Sequence, residues 1–314
     1  LDYWLILFAT SCFANMLGLN ISSAFNSVVT IYILIPILLI PQLLLSGVIV
    51  KFDKLNPTLA SQTVVPITGE LMASRWAFEA LAVNQFKENE FQKLFFEAEQ
   101  KKSQASFKRT FWISEVKKRL EACKIHYQSS DKKEMVESSW LVIKNELRKE
   151  VISSPDVSPG QDFGAMDAFS LSYVLNIERY LDELKMHYQL VREANVELIG
   201  GTIRALRKQD SVKDVFTELR NQYHNENLAD LLSNSSSVDK IIEFEGELIQ
   251  KTDPIYKEGK GFRSHFFAPS KKIFGKSIDT FWLNIGVLFL YTLFLFLMLY
   301  FDCMKRALDW LAKM

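Results

Sequence analysis

"IPILLIPQLLLSGVIVK", residues 35–51, sets two prolines, Pro36 and Pro41, inside an apolar run that stops at Lys51. Proline lacks the N–H donor and its ring clashes with the carbonyl four residues back, so in a soluble protein it normally ends a helix. Within a membrane bundle it is tolerated, because neighbouring helices, hydroxyls and local distortion re-satisfy the freed carbonyls. The surrounding sequence decides between these settings. No charged residue occurs from Tyr3 to Val50, a run of 48, and a second charge-free run of 22 covers Thr280 to Phe301. Nearly all of the 37 basic and 37 acidic residues crowd between the two runs. A bilayer requires roughly 20 consecutive apolar residues, whereas the core helix of a soluble domain uses about 10–14. The two ends read as membrane and the middle as an ordinary domain.

The first run is long enough for two spans, and its polar cluster "GLNISSAFN" (18–26) is a turn signal. This places spans at about 3–18, 27–50 and 279–301, with Pro36 and Pro41 kinking the second. The expectation is an all-α membrane protein with three transmembrane helices and a large helical domain inserted between the second and third. Leu1 is not a methionine and stands almost inside a span, which reads as the C-terminal part of a longer polypeptide. Lys51, Lys54, Lys271, Lys272 and Lys276 flank the domain side, against Lys305, Arg306 and Lys313 in the tail. These flanks do not decide orientation, since long domains translocate largely regardless of charge.

In the middle, residues 51–72 hold Pro57 and Pro66 with little periodicity. Helical spacing follows. Trp112, Val116, Leu120, Cys123 and Tyr127 form one stripe, and Val136, Trp140, Ile143, Leu147 and Val151 a second. Val174, Ile177, Leu181, Leu184, Tyr188 and Val191 form a heptad seam. Residues 153–164 read as a loop, Gly200 and Gly201 as the close of the long helix, and "LSNSSSVD" (232–239) as a loop ending in a helix N-cap. No strand pattern stands out. Glu243, Glu245 and Glu247, spaced by two, read as a solvated edge.

Chemistry-bearing motifs are missing. "FGKS" (274–277) ends like a phosphate-binding loop, but Ser270 stands where that motif requires a glycine. The histidines His126, His187, His224 and His265 are scattered, and the three cysteines lack zinc spacing. Charge is balanced with no basic stripe, which argues against nucleic-acid binding. The expectation is a chain with no catalytic site, no metal site and no cofactor of its own.

The order of features is a span, an uncharged turn, a proline-containing span ending "LLLSGVIV", an irregular segment, "SRWAFEAL", a helical insert, a last span and a short basic tail. It resembles the C-terminal half of the permease of an ABC exporter of the G-subfamily, ABC-2-like type. "SHFFAPSKKIFGKSIDTFWLNIGV" and "LYFD", within 264–302, are also similar to the ending of Bacteroidetes-like members that fuse ATPase and permease. The resemblance covers about 1–83 and 262–314. It implies a hairpin of spans at 1–50, a re-entrant interfacial segment at 51–83, a helical periplasmic domain at 84–262, and a last span with a cytoplasmic tail at 263–314. It further implies a multi-pass protein of a bacterial inner membrane. Its partners would be the lipid bilayer, an ABC ATPase domain holding ATP and magnesium, the remaining transmembrane helices and a second permease half, with no nucleic acid. Asn26, Tyr32, Pro36, Pro41, Gln42 and Ser46 would flank the substrate path, and Arg75, Trp76 and Glu79 would sit on the re-entrant helix. The alternative is a membrane-anchored helical domain for partner binding or signal sensing, with the 174–191 seam as a dimer stalk. Against it, the tail is too short for an output module.

Overall fold

A computed structural model describes residues 1–25, 27–55, 61–160, 162–163, 169–208 and 214–311. In chain order the longer elements are α1 (Asp2–Ala24), α2 (Val28–Leu44), α3 (Ile67–Glu70), α4 (Ala73–Lys87), α5 (Phe96–Phe107), α6 (Ile113–His126), α7 (Lys133–Ser153) and α8 (Leu171–Lys208). Then come α9 (Val215–Tyr223), α10 (Glu226–Ser233), β1 (Ile241–Phe244), β2 (Glu247–Gln250), β3 (Ser270–Ile273), β4 (Lys276–Asp279), α11 (Thr280–Tyr300) and α12 (Cys303–Leu311). The chain divides into two compact units, one of residues 1–88 with 258–314, the other of residues 89–257.

In the first unit, α1 and α11 are long and apolar enough to cross a membrane, while α2 is a shorter apolar helix of 17 residues. The turn expected at 18–26 is displaced, because α1 continues to Ala24. Its polar residues are satisfied within a helix: Ser23 Oγ donates back to the Asn20 carbonyl at 3.0 Å. Buried Asn20 donates to Leu295 O of α11 at 2.9 Å and to Met16 O at 2.8 Å. Asparagine serves here as a polar link between apolar helices, a use that a membrane favours. Pro36 and Pro41 both lie inside an unbroken α2. That helix ends six residues before the expected limit of its span, and its last carbonyls are capped. Leu45 N donates to Pro41 O (2.9 Å), Ser74 Oγ to Gln42 O (2.5 Å) and Ser46 Oγ to Leu43 O (2.7 Å). Gly47 then turns the chain at φ +81, where a Cβ would lie 2.4 Å from the Phe52 ring. Only glycine fits such a close approach in that conformation.

Helices α1, α4 and α11 pack on one another. Ile6, Ala80, Phe281 and Ile285 share one cluster, and Ala9, Ala73, Trp76, Leu283, Val287 and Leu288 the next. Asn84 of α4 bonds Asp2 at the start of α1, and Lys87 pairs with Asp279, the N-cap of α11. Thus α1 and α11 run parallel, and α4 runs beside them in the opposite sense. At the far end of α4 the Tyr291 hydroxyl donates to Glu70 O at 2.6 Å. At 1.5 Å per residue, Tyr291 lies ~18 Å along α11 from Asp279. The segment 70–87 therefore follows the flank of α11 for most of that helix's length.

In the second unit the periodic stripes form the core. Trp112, Val116, Leu120 and Cys123 of one stripe, Val136, Trp140, Ile143 and Leu147 of the next, and Val174, Ile177, Leu181 and Leu184 of α8 are buried together. A π-helical turn at Lys108–Trp112 joins α5 to α6 without a break. The expected end of the long helix at Gly200–Gly201 is wrong, since α8 runs through both to Lys208. Neither glycine adopts the left-handed conformation that would stop a helix. All-α is likewise corrected. "LSNSSSVD" leads into the antiparallel hairpin β1–β2, not a helix, and Glu243 and Glu247 belong to its strands with Glu245 at the turn. A second antiparallel hairpin, β3–β4, belongs to the first unit and holds "FGKS" at its turn. Four-residue strands are too short to leave a visible alternation.

Candidate functional site

The first turns of α4 place Arg75 and Glu79 four residues apart, hence on one helical face. Both are fully buried, as is Lys271 of β3. Glu79 is the hub. It accepts from Phe267 N at 3.1 Å, from Lys271 Nζ at 2.5 Å and from Asn284 Nδ2 of α11 at 2.8 Å. Asn284 also donates to Trp76 O (3.1 Å) and accepts from Lys271 (3.2 Å), so the amide is used on both sides. The Arg75 guanidinium lies 3.5 Å from Glu79 and 3.4 Å from Glu70. It stacks 4.0 Å over the Trp76 ring, and the Lys271 ammonium lies 4.7 Å from the same ring. The Trp76 indole N–H donates to Glu70 O at 2.7 Å, closing the cluster.

Two acids and two bases make the cluster neutral in sum, but hydrogen bonding is uneven. Glu79 is saturated. The Arg75 guanidinium nitrogens and both Glu70 carboxylate oxygens are buried without a hydrogen bond, although the ions face each other. Burial raises the Glu79 carboxyl, and Arg75 with Lys271 outweighs that and holds it below the usual carboxylate range. At Glu70 burial prevails over the pull of Arg75 and Lys271, so its carboxyl is held above that range. Burial also drives the Lys271 ammonium down to about 8 against the attraction of Glu79. Charges taken out of water are costly unless paired. In a membrane-embedded unit such residues are functional candidates by default.

Arg75, Trp76 and Glu79, expected together on one helix, are brought together. Glu70, Lys271, Asn284 and Tyr291 complete the cluster and were not singled out from sequence. Asn284 left one trace, as an amide within a charge-free apolar run. Lys271, 192 residues from Glu79, left none. The expected path residues are strung along α2 and its exit. Tyr32 and Pro36 are exposed, Pro41 and Gln42 partly buried, and Ser46 buried; Asn26 lies outside the described residues. Gln42 is the one that approaches the cluster, accepting from Ser74 N at 3.2 Å beside Arg75. Among the described residues no group of His, Cys, Asp and Glu is placed to hold a metal ion.

No curated protein and no solved structure matches the chain. Residues 1–86, which carry α1, α2 and the α4 half of the cluster, match the family model described as ABC-2 type transporter. This part of the chain is similar to ABC-2 type permease sequence, a family whose members are the membrane-embedded partners of ABC ATPases.

Proposed function

We propose that the chain is the permease portion of an ATP-driven exporter that moves a lipid or other hydrophobic compound, with ATP and magnesium handled in a domain outside this sequence. The observation that carries this reading is the Arg75–Glu79–Lys271–Asn284 cluster within and around the ABC-2 segment. Separating any partner strands an unpaired charge where water is scarce, so α4, β3 and α11 are held as one body, on which α1 packs. In contrast, α2 buries no side chain in this unit and carries both prolines. A permease requires such a division between a rigid body and a helix that shifts against it. In this reading α2 flanks the path, residues 89–257 form an extracytoplasmic domain on the periplasmic side of a bacterial inner membrane, and two permease halves pair. Chemistry on the substrate is not expected of this chain.

The test is transport by the full-length protein with its ATPase in proteoliposomes. A fluorescent phospholipid analogue and a hydrophobic cationic dye serve as probes. ATP-dependent redistribution of either one, abolished when the ATPase is inactivated, is the expected result. Redistribution of neither, with no ATPase activity associated with the purified protein, overturns the reading.

A further inference from the structure

The hairpin β3–β4 lies where the chain enters α11. Ser270 pairs with Asp279 at its base and Ile273 with Lys276 beside its turn. At ~3.3 Å per residue the turn stands ~13 Å from that base. Side chains alternate along a strand. Lys271 therefore points inward to Glu79 and Asn284, and Ile273 shares its face. Ile273 and Ile278 pack on the Trp76–Leu283–Val287 cluster, so the hairpin lies against the flank of the helices instead of standing off the end of α11. Its turn, Phe274–Gly275, has φ of +48 and +79. Positive φ at both positions suits a two-residue hairpin, which favours Asn-Gly or Asp-Gly; for phenylalanine the first position is sterically costly. The Phe274 ring is nevertheless entirely exposed, at 103%. Lys276 is exposed beside it, and Lys272, half exposed, lies 3.9 Å from Glu258. Trp282 in the first turn of α11 is exposed as well.

We propose that this turn is a bilayer anchor. Phe274 inserts at the boundary between phospholipid headgroups and acyl chains, and the Lys272 and Lys276 ammonium groups meet the lipid phosphates. The proposal rests on α11 crossing the bilayer and not on transport. Interfacial segments bury phenylalanine at the boundary of headgroups and acyl chains, tryptophan is favoured at headgroup level, and lysine can keep its stem in apolar surroundings with its charge at the phosphates. Exposed Trp282 marks that level on α11, and Ile273 and Ile278 hold the hairpin against the helices.

The experiment uses the full chain in nanodiscs of phosphatidylcholine and phosphatidylglycerol. Cys12 and Cys303 are replaced by serine, and Cys123 is fully buried. An environment-sensitive fluorophore is attached to Phe274→Cys, with Leu175→Cys on exposed α8 surface as the reference. The expected result is a blue-shifted emission at 274 relative to 175, quenched about twofold by lipids brominated near the headgroup. Water-like, unquenched emission overturns the proposal. So does a blue shift that brominated lipids leave unquenched, which would mean contact with protein. Reversing both charges, Lys272→Glu with Lys276→Glu, is expected to weaken the quenching; undiminished quenching overturns the phosphate contacts.

Discussion

Glu79 in the first unit and Glu150 in the second are both fully buried, yet their counter-charges come from different places. Glu79 is met by Arg75 and Lys271, themselves fully buried, together with a neutral amide. Glu150 is met by Lys108, whose side chain is 26% exposed, by the Tyr188 hydroxyl and by Ser154. Its neighbour one turn earlier, Glu146, accepts from the Trp112 indole at 2.7 Å, Lys149 at 3.0 Å and Leu248 N at 3.1 Å. The π-helical turn that carries Lys108 and Trp112 brings both onto these two acids. The second unit thus buries carboxylates under lysines that still touch water. The first buries whole ion pairs and has no such outlet. An isolated helical domain can be held by the former; a unit whose surroundings are lipid has to close its charges internally.

That contrast can be broken at Glu79 first. Glu79→Gln removes the hub charge while Arg75 and Lys271 remain buried. The expected loss is ~3–5 kcal/mol of unit stability, read as a large drop in the thermal midpoint of the purified protein. Glu150→Gln is expected to cost less, about 1–3 kcal/mol, because Lys108 can turn to solvent; chemical denaturation followed through the Trp112 and Trp140 fluorescence measures it. If the two substitutions cost the same, the distinction between closed and vented charge clusters fails.

A smaller effect sharpens the comparison through alkali. In the second unit Tyr180 is pushed up to about 12, chiefly by burial with Glu150 adding to it. Tyr188 and Tyr256 are raised further by burial and by their neighbours Glu150 and Glu99. These folded-state values exceed that of a free phenol at about 10. The stability they contribute is complete below that pH and is lost progressively as pH rises past it. Lys271 has the opposite sign. Its folded value of about 8 lies below the ordinary ammonium value of 10.5, so through that window the unfolded chain retains a proton that the fold releases, and raising pH favours the folded form at this group. The expected outcome is cooperative unfolding of residues 89–257 above about pH 10, with a step of tyrosinate absorbance that coincides with the loss of helix.

The heptad seam of α8 was legible because Val174, Ile177, Leu181 and Leu184 repeat at helical spacing and are all buried. The last long apolar helix was legible for an equally direct reason, since Thr280–Tyr300 nearly fills a charge-free run. The end of α1 was obscured because Asn20, Ser22 and Ser23 look the same in a turn and in a helix whose polar groups bond back to its own carbonyls. At the candidate site, Arg75 and Glu79 showed through their spacing. Glu70, Lys271 and Asn284 join them through contacts that span up to 205 residues, and a single sequence carries no record of such distances. The four short strands were hidden for another reason: "IIEF" and "ELIQ" present too few residues for any period to show.

Pro36 and Pro41 have one more consequence, for where α2 can bend. Each removes the amide that would have bonded a carbonyl one turn earlier, those of Tyr32 and Ile37. A helix with two missing rungs five residues apart, and so about 140° apart around its axis, flexes at two points in different directions, and it buries no side chain of its own against this unit to resist that. Its described polar ties lie at one end, where Gln42 meets Ser74. The polar ties of α2 thus fix the end that sits one residue away from Arg75, and the two missing rungs make the rest of the helix its easier part to bend.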